Sequence, residues 1–205
     1  MKPSLLATFI GASCSFATIG DATAVATIGE PAPALVLNDT NGKTVNLRDY
    51  QGRTVVLEWH NAECPFVQKH YNSANMQGLQ SRYTKDGVVW LAVSSTAPAH
   101  PNYKKPSVVN AWLKSNNASP TAYLMDESGA TGKAYGARTT PHMYIINAYG
   151  TLVYAGGIDD QRSANIADIK LAKNYVAAAL DELNVGKAVW VASSTPYGCT
   201  VKYPS

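Results

Sequence analysis

A run of five residues rich in β-branched and aromatic side chains, Val55 to Trp59, leads within a few positions to Cys64-Pro65 and an amphipathic stretch. Val55–Trp59 reads as a buried strand. Pro65 suits the first position of a helix, where its missing N–H costs nothing. Cys64 is then the residue that caps the helix, between a core strand and the positive end of a helix dipole. That setting favours a thiolate, the reactive form of cysteine. An inert thiol could occupy the same place but does not need it.

The chain has 205 residues and three cysteines. Lys2, the weakly apolar stretch Leu5 to Ile19 and the small residues Ala22-Thr23-Ala24 have the order of an export signal, with cleavage expected after Ala24. Lipoprotein processing at Cys14 has little support, because Gly11-Ala12-Ser13 lacks an aliphatic residue. Residues 25–205 then form one domain of 181 residues, large enough for a substantial core. No later apolar run is long enough to span a bilayer. The net charge of +3 is mild and evenly spread, so nucleic-acid binding is not expected. Cys64 and Cys199 remain after cleavage, 135 positions apart. In an exported protein two cysteines are usually paired or used.

Two short strands around Asn41-Gly42 predict an N-terminal β-hairpin. The strand Val55–Trp59 follows, and the apolar spacing predicts one helix from about Pro65 to Tyr83. A strand over Val88–Val93, a helix opened by Pro106, a strand at Ala122–Met125 and a short helix closed by Gly136 come next. Met143–Ile146 and Leu152–Tyr154 predict a second hairpin, and Ser163–Leu183 a last helix, with Asp159 and Asp160 charging its N-terminus. Strands joined through helices favour parallel pairing, and the late hairpin an antiparallel edge. The expected fold class is α/β, a three-layer α/β/α sandwich with a mixed central sheet.

This order, with Cys64 at its strand–helix junction, resembles the thioredoxin fold. Arg138-Thr139-Thr140-Pro141-His142 precedes a strand, as the cis-proline loop does in thioredoxin-like proteins. The resemblance implies that Thr140 and Pro141 face Cys64. Gly29-Glu30-Pro31-Ala32-Pro33 through Leu47-Arg48-Asp49-Tyr50 resembles the start of redoxin domains of the alkyl hydroperoxide reductase and thiol-specific antioxidant superfamily. Leu57-Glu58-Trp59-His60-Asn61, the stretch from Cys64 to Tyr71, Asn75-Met76-Gln77 and Gly198-Cys199-Thr200-Val201-Lys202-Tyr203 resemble peroxiredoxin-like bacterial redoxins.

The departures from these patterns matter for function. Val67 stands where a Cys-x-x-Cys pair has its second thiol, and Gln68 where copper-delivery relatives have theirs. Asn61 and Leu57 replace the Thr and Pro of the peroxidatic pattern Pro-x-x-x-Thr-x-x-Cys. The expected activity is thiol–disulfide exchange by Cys64. Cys199, on a flexible tail, either resolves Cys64, bridges it permanently or acts independently. Peroxide reduction through a Cys64 sulfenic acid is an alternative. A non-enzymatic protein binding copper or a partner through Cys64, Cys199, His60 and His142 is another, without ligand spacing to support it.

His60, Glu58, Glu63 and Arg138 are candidate supporting residues, each with a plain structural alternative. These are a hydrogen-bonded loop histidine, a partnered buried acid and two solvated charges. His70 points away by helical rotation. No organic cofactor and no metal are expected. The partner would be a protein dithiol or disulfide, or a small peroxide.

Overall fold

The computed structural model describes residues 25–204. The expected export signal, the expected cleavage site and Cys14 lie outside the described residues. The elements are β1 Val36–Asp39, β2 Thr44–Asn46, β3 Val55–Trp59, α1 Pro65–Asn72, α2 Asn75–Lys85, β4 Val89–Ser94, α3 Pro106–Ser115, β5 Ala122–Met125, α4 Ala130–Tyr135, β6 Thr139–Thr140, β7 His142–Ile146, β8 Leu152–Gly156, α5 Tyr175–Asn184 and β9 Cys199–Thr200. Two 3-10 turns lie at Leu47–Tyr50 and Ile166–Lys170.

Seven strands form one mixed sheet in the order β2-β1-β5-β4-β3-β7-β8. The central pairs β3–β4 and β4–β5 are parallel, while β7–β8 and the β1–β2 hairpin are antiparallel. This is the thioredoxin-like α/β architecture. β3 is buried along its length, so both of its faces carry core. Val56, Trp90, Met143 and Ile145 pack on one face with residues of α1, α2 and α5. Val55, Leu57, Trp59, Leu91 and Tyr144 pack on the other with Tyr135 of α4 and Val201 of the tail. The alternation follows from the period of two along a strand.

Three expectations need correction. The single helix over Pro65–Tyr83 is two, broken at Ser73-Ala74, where Ala74 takes φ 58°. Local side chains take over the carbonyls freed at the break: Ser73 Oγ donates to His70 O (3.2 Å) and Gln77 Nε2 to Tyr71 O (2.8 Å). The last helix starts only at Tyr175. Asn174 caps it by accepting from Ala177 N (2.8 Å), and Leu171 before it is 78% exposed. The Asp159 side chain does not charge that helix but accepts from Tyr197 Oη. Asp159 is buried beneath α1, and Asp160 accepts from Lys173 N (2.9 Å).

Candidate active site

Cys64 caps α1 with extended backbone (φ −79°, ψ 122°), and Pro65 follows in the first turn. Asn61 shapes the loop before it: Cys64 N donates to Asn61 O (3.0 Å), and Glu63 N donates to Asn61 Oδ1 (2.9 Å). The Cys64 side chain is turned inward and the residue is only 1% exposed. Its thiol donates to the carbonyl of Thr140 (3.0 Å), and the Thr140–Pro141 peptide is cis. Thr140 ends β6 and Pro141 joins it to β7, which pairs with β3 in antiparallel register, Trp59 opposite His142. The sheet register thus brings positions 64 and 140 together.

The tail meets the same spot. β9 pairs antiparallel with β6, Cys199 opposite Thr140. Both cysteines are free thiols, and Cys199 packs against the core cluster that contains Cys64. Burial first, and then the neighbouring Cys64, push the Cys199 thiol up to about 12, and Lys202 opposes them. Cys199 therefore holds its proton at neutral pH. The tail is not a free arm. Val201 N donates to Arg138 O (3.0 Å), Ala97 N to Lys202 O (2.7 Å) and Tyr203 Oη to Ala137 O (2.7 Å). Gly198 at φ 138° lets the chain pass Thr140, whose carbonyl oxygen would lie 2.0 Å from an added Cβ.

The four supporting candidates do not hydrogen-bond to Cys64. Glu58 is fully buried on β3. Its carboxyl accepts from Tyr71 Oη (2.8 Å), Trp90 Nε1 (2.8 Å) and Gln80 Nε2 (3.3 Å). Burial pushes its pKa up to about 7 against the pull of those three donors. His60 is buried, bonded through Nδ1 to Tyr123 Oη (2.9 Å), and pushed down to about 3 by desolvation, so it is neutral at ordinary pH. Its Nε2 has no hydrogen-bond partner, but the ring meets Tyr71 and Trp112 edge-on. Glu63 is exposed and paired with Lys104 (2.7 Å). The Arg138 side chain is exposed, and its backbone N donates to His142 Nδ1 (3.3 Å). His142 also meets the Tyr144 hydroxyl (3.0 Å) and is held near pKa 3 by burial and by Arg138. No cluster of three or more His, Cys, Asp or Glu with metal-binding geometry occurs among the described residues. Nor is any helix there long and apolar enough to cross a membrane.

Sequence reasoning did not single out Lys69 and Tyr197, and it gave Asp159 a different role. Tyr197 Oη donates to Asp159 Oδ1 (2.6 Å), and Lys69 Nζ donates to Gln161 O (2.7 Å) and lies 3.9 Å from Asp159. A lysine in the last turn of α1, beside its apolar face, was the available signal, but its partners are far away in sequence.

Comparison with known proteins places this geometry. A thiol-disulfide oxidoreductase ResA from Halalkalibacterium halodurans is 27% identical over 139 residues, covering 67% of this chain and 73% of that protein. The crystal structure of an uncharacterized conserved protein from Geobacillus kaustophilus superposes with a TM-score of 0.74 at 27% identity, covering 87% of this chain and 93% of that one. A hypothetical protein from Sinorhizobium meliloti gives a TM-score of 0.72 at 27% identity, with 87% and 96% covered. The AhpC/TSA family model matches residues 28–155, from the turn before the N-terminal hairpin through β3, Cys64 and the Thr140–Pro141 loop to β8, and the chain belongs to that family.

Proposed function

We propose that this chain is an exported thiol–disulfide redox protein in which Cys64 is the nucleophile and Cys199 the resolving thiol. The observation that carries the reading is the meeting of both cysteines at Thr140, whose carbonyl accepts from the Cys64 thiol and whose strand partner is Cys199. The similarity to a thiol-disulfide oxidoreductase supports the same class.

In this reading the Cys64 thiolate attacks one sulfur of a partner's disulfide, forming a mixed disulfide and releasing a partner thiolate. Cys199, after giving up its proton, attacks Cys64 and releases the second partner thiolate. The pair ends as a Cys64–Cys199 disulfide, and the partner has gained two electrons and two protons. A protein dithiol donor returns the pair to its thiols by the reverse exchange. Thr140 and Pro141 hold the backbone against which the partner's chain would lie. Glu58, His60, Glu63 and Arg138 act as structural or surface groups in this scheme.

Peptide mapping under non-reducing conditions tests it. One intramolecular Cys64–Cys199 disulfide, opened by mild dithiol, is the expected result. Cys199→Ser should accumulate mixed disulfides at Cys64, and Cys64→Ser should be inactive. A bridge that resists mild reductant, with no trapped species in Cys199→Ser, would refute the reading. Family membership favours peroxide reduction as a second reading, although Asn61 and Leu57 stand in the Thr and Pro positions. Stoichiometric Cys64 sulfenic acid in Cys199→Ser, with sustained peroxide turnover in the parent, would select it. Export is tested on the same material: the mature N-terminus should fall near Val25, and an uncleaved cytoplasmic product would rule it out.

A further inference from the structure

Cys64 is 1% exposed, yet exchange with a partner protein requires its sulfur to meet a second disulfide in line. The tail covers it. Tyr197, Cys199 and Phe66 belong to the same core cluster as Cys64, and the Phe66 and Tyr197 rings meet edge to face at 5.9 Å. Two residues before Cys199 the tail is pinned in an unusual way. The Tyr197 hydroxyl enters a cluster in which the side chains of Lys69, His70 and Asp159 are at most 1% exposed. It donates to Asp159 Oδ1 (2.6 Å), and the ring nitrogen Nε2 of His70 lies 3.2 Å from its oxygen. Asn75 Nδ2 meets the other ring nitrogen of His70 (2.9 Å), and Lys69 Nζ sits 5.5 Å from the centre of the Tyr197 ring. Asp159 Oδ2 has no hydrogen-bond partner and lies 3.9 Å from both Lys69 Nζ and His70 Nε2. Tyr197 therefore supplies the short bond that this buried carboxylate has from the tail. A buried ion pair of this geometry is a poor way to gain stability, since desolvation offsets its attraction. It is a good way to fix a register.

We infer that Tyr197 is a positioning residue for the thiol pair: its bond to Asp159 seats the tail over Cys64 and so sets how readily a partner's disulfide reaches that sulfur. This rests on the reading of Cys64 and Cys199 as the redox pair. Opening of the tail from Tyr197 onward would expose Cys64 without unfolding the sheet, a local rather than a global event. The seat also keeps Cys199 at high effective concentration against Cys64, which favours the intramolecular disulfide over mixed ones.

Tyr197→Phe in the full chain keeps the ring and removes the bond. The rate of Cys64 alkylation by iodoacetamide, measured in a Cys199→Ser background with and without Tyr197→Phe, reads access directly. It should rise roughly tenfold to a hundredfold, the effect of losing one hydrogen bond to a charged group. In the parent background, the Cys64–Cys199 disulfide equilibrated against reduced and oxidised glutathione should shift toward the dithiol by about tenfold. Tyr203→Phe, which removes a neutral tail bond to Ala137, should move neither readout. Alkylation within twofold of the parent in folded Tyr197→Phe overturns the inference. If Tyr197→Phe does not fold, Asp159→Asn is judged by the same two criteria. A parent that never forms the disulfide, with alkylation still accelerated by Tyr197→Phe, would sink the redox-pair reading and leave the seat standing.

Discussion

Glu58 shows how one residue can be legible in kind and not in setting. A charge in a buried strand calls for partners, and the sequence says so. The partners themselves, Tyr71, Gln80 and Trp90, come from α1, α2 and β4, and no local pattern announces them. Burial raises the Glu58 pKa from 4.5 to about 7. A carboxyl raised in this way contributes stability that is complete below its unfolded value and is lost as pH rises through the folded value. The window is therefore about pH 4.5 to 7, and the loss across it is on the order of 3 kcal/mol. His60, His70 and His142 work in the opposite sense. Each is pushed down to about 3, so stability is lost as pH falls below the ordinary histidine value of 6.5. The raw pH profile mixes these effects, and a variant separates them. Glu58→Gln keeps the shape and most of the hydrogen bonds. Urea unfolding from pH 5 to pH 8 should show the variant gaining on the parent as pH rises. A constant difference across that range would mean that Glu58 is already ionised in the fold at pH 5.

Elements with strong period and long runs were readable: the core strands, the two hairpins, the Pro106 helix and the Gly136 stop all stand close to where apolar spacing and turn residues put them. The helix breaks were not. Ala74 is a good helix former, so propensity continues through a position that long-range bonds of Gln77 hold left-handed. The β6–β9 pair was invisible for a different reason. Two residues per strand give no periodicity, and the partners lie 59 positions apart in sequence. Yet this pair brings Cys199 to Cys64. Gly198 is the element's weak point, because a Cβ there would meet the Thr140 carbonyl at 2.0 Å. Gly198→Ala should cost about 2–3 kcal/mol and slow Cys64–Cys199 disulfide formation, since the backbone cannot yield without giving up the pairing. Gly186→Ala is a suitable comparison. Gly186 also has positive φ (71°), but nothing lies within 4 Å of its added Cβ. It should cost about 1 kcal/mol and leave disulfide formation unchanged. Equal rates of disulfide formation in the two variants would separate the β6–β9 pairing from the placement of Cys199.

At the scale of the whole molecule the tail is a strap. It leaves α5 on one face of the sheet, passes Cys64 through Tyr197 and Cys199, and ends with Val201 in the core of the opposite face. The fold class followed from the order of strands and helices. The strap did not, because its fastenings are polar bonds between distant residues, and composition marks the segment only as rich in small and polar side chains. A disulfide between positions 64 and 199 would close a loop spanning most of the domain. The chain-entropy model gives an upper value of about 5 kcal/mol for a loop of this length, by restricting the unfolded chain. For a domain of this size that corresponds to roughly 10–20 °C in melting temperature. The reduced protein already seats both cysteines at Thr140, so oxidation should need little reorganisation of the native state and most of that gain should be realised. Calorimetry of the oxidised protein, with and without excess dithiol, should show the reduced form melting at least several degrees lower. Cys199→Ser should abolish the difference. A quantitatively formed disulfide that leaves the melting temperature unchanged would mean that bridging strains the native fold by as much as it restricts the unfolded chain, and that the reduced geometry is not prepared for the bond.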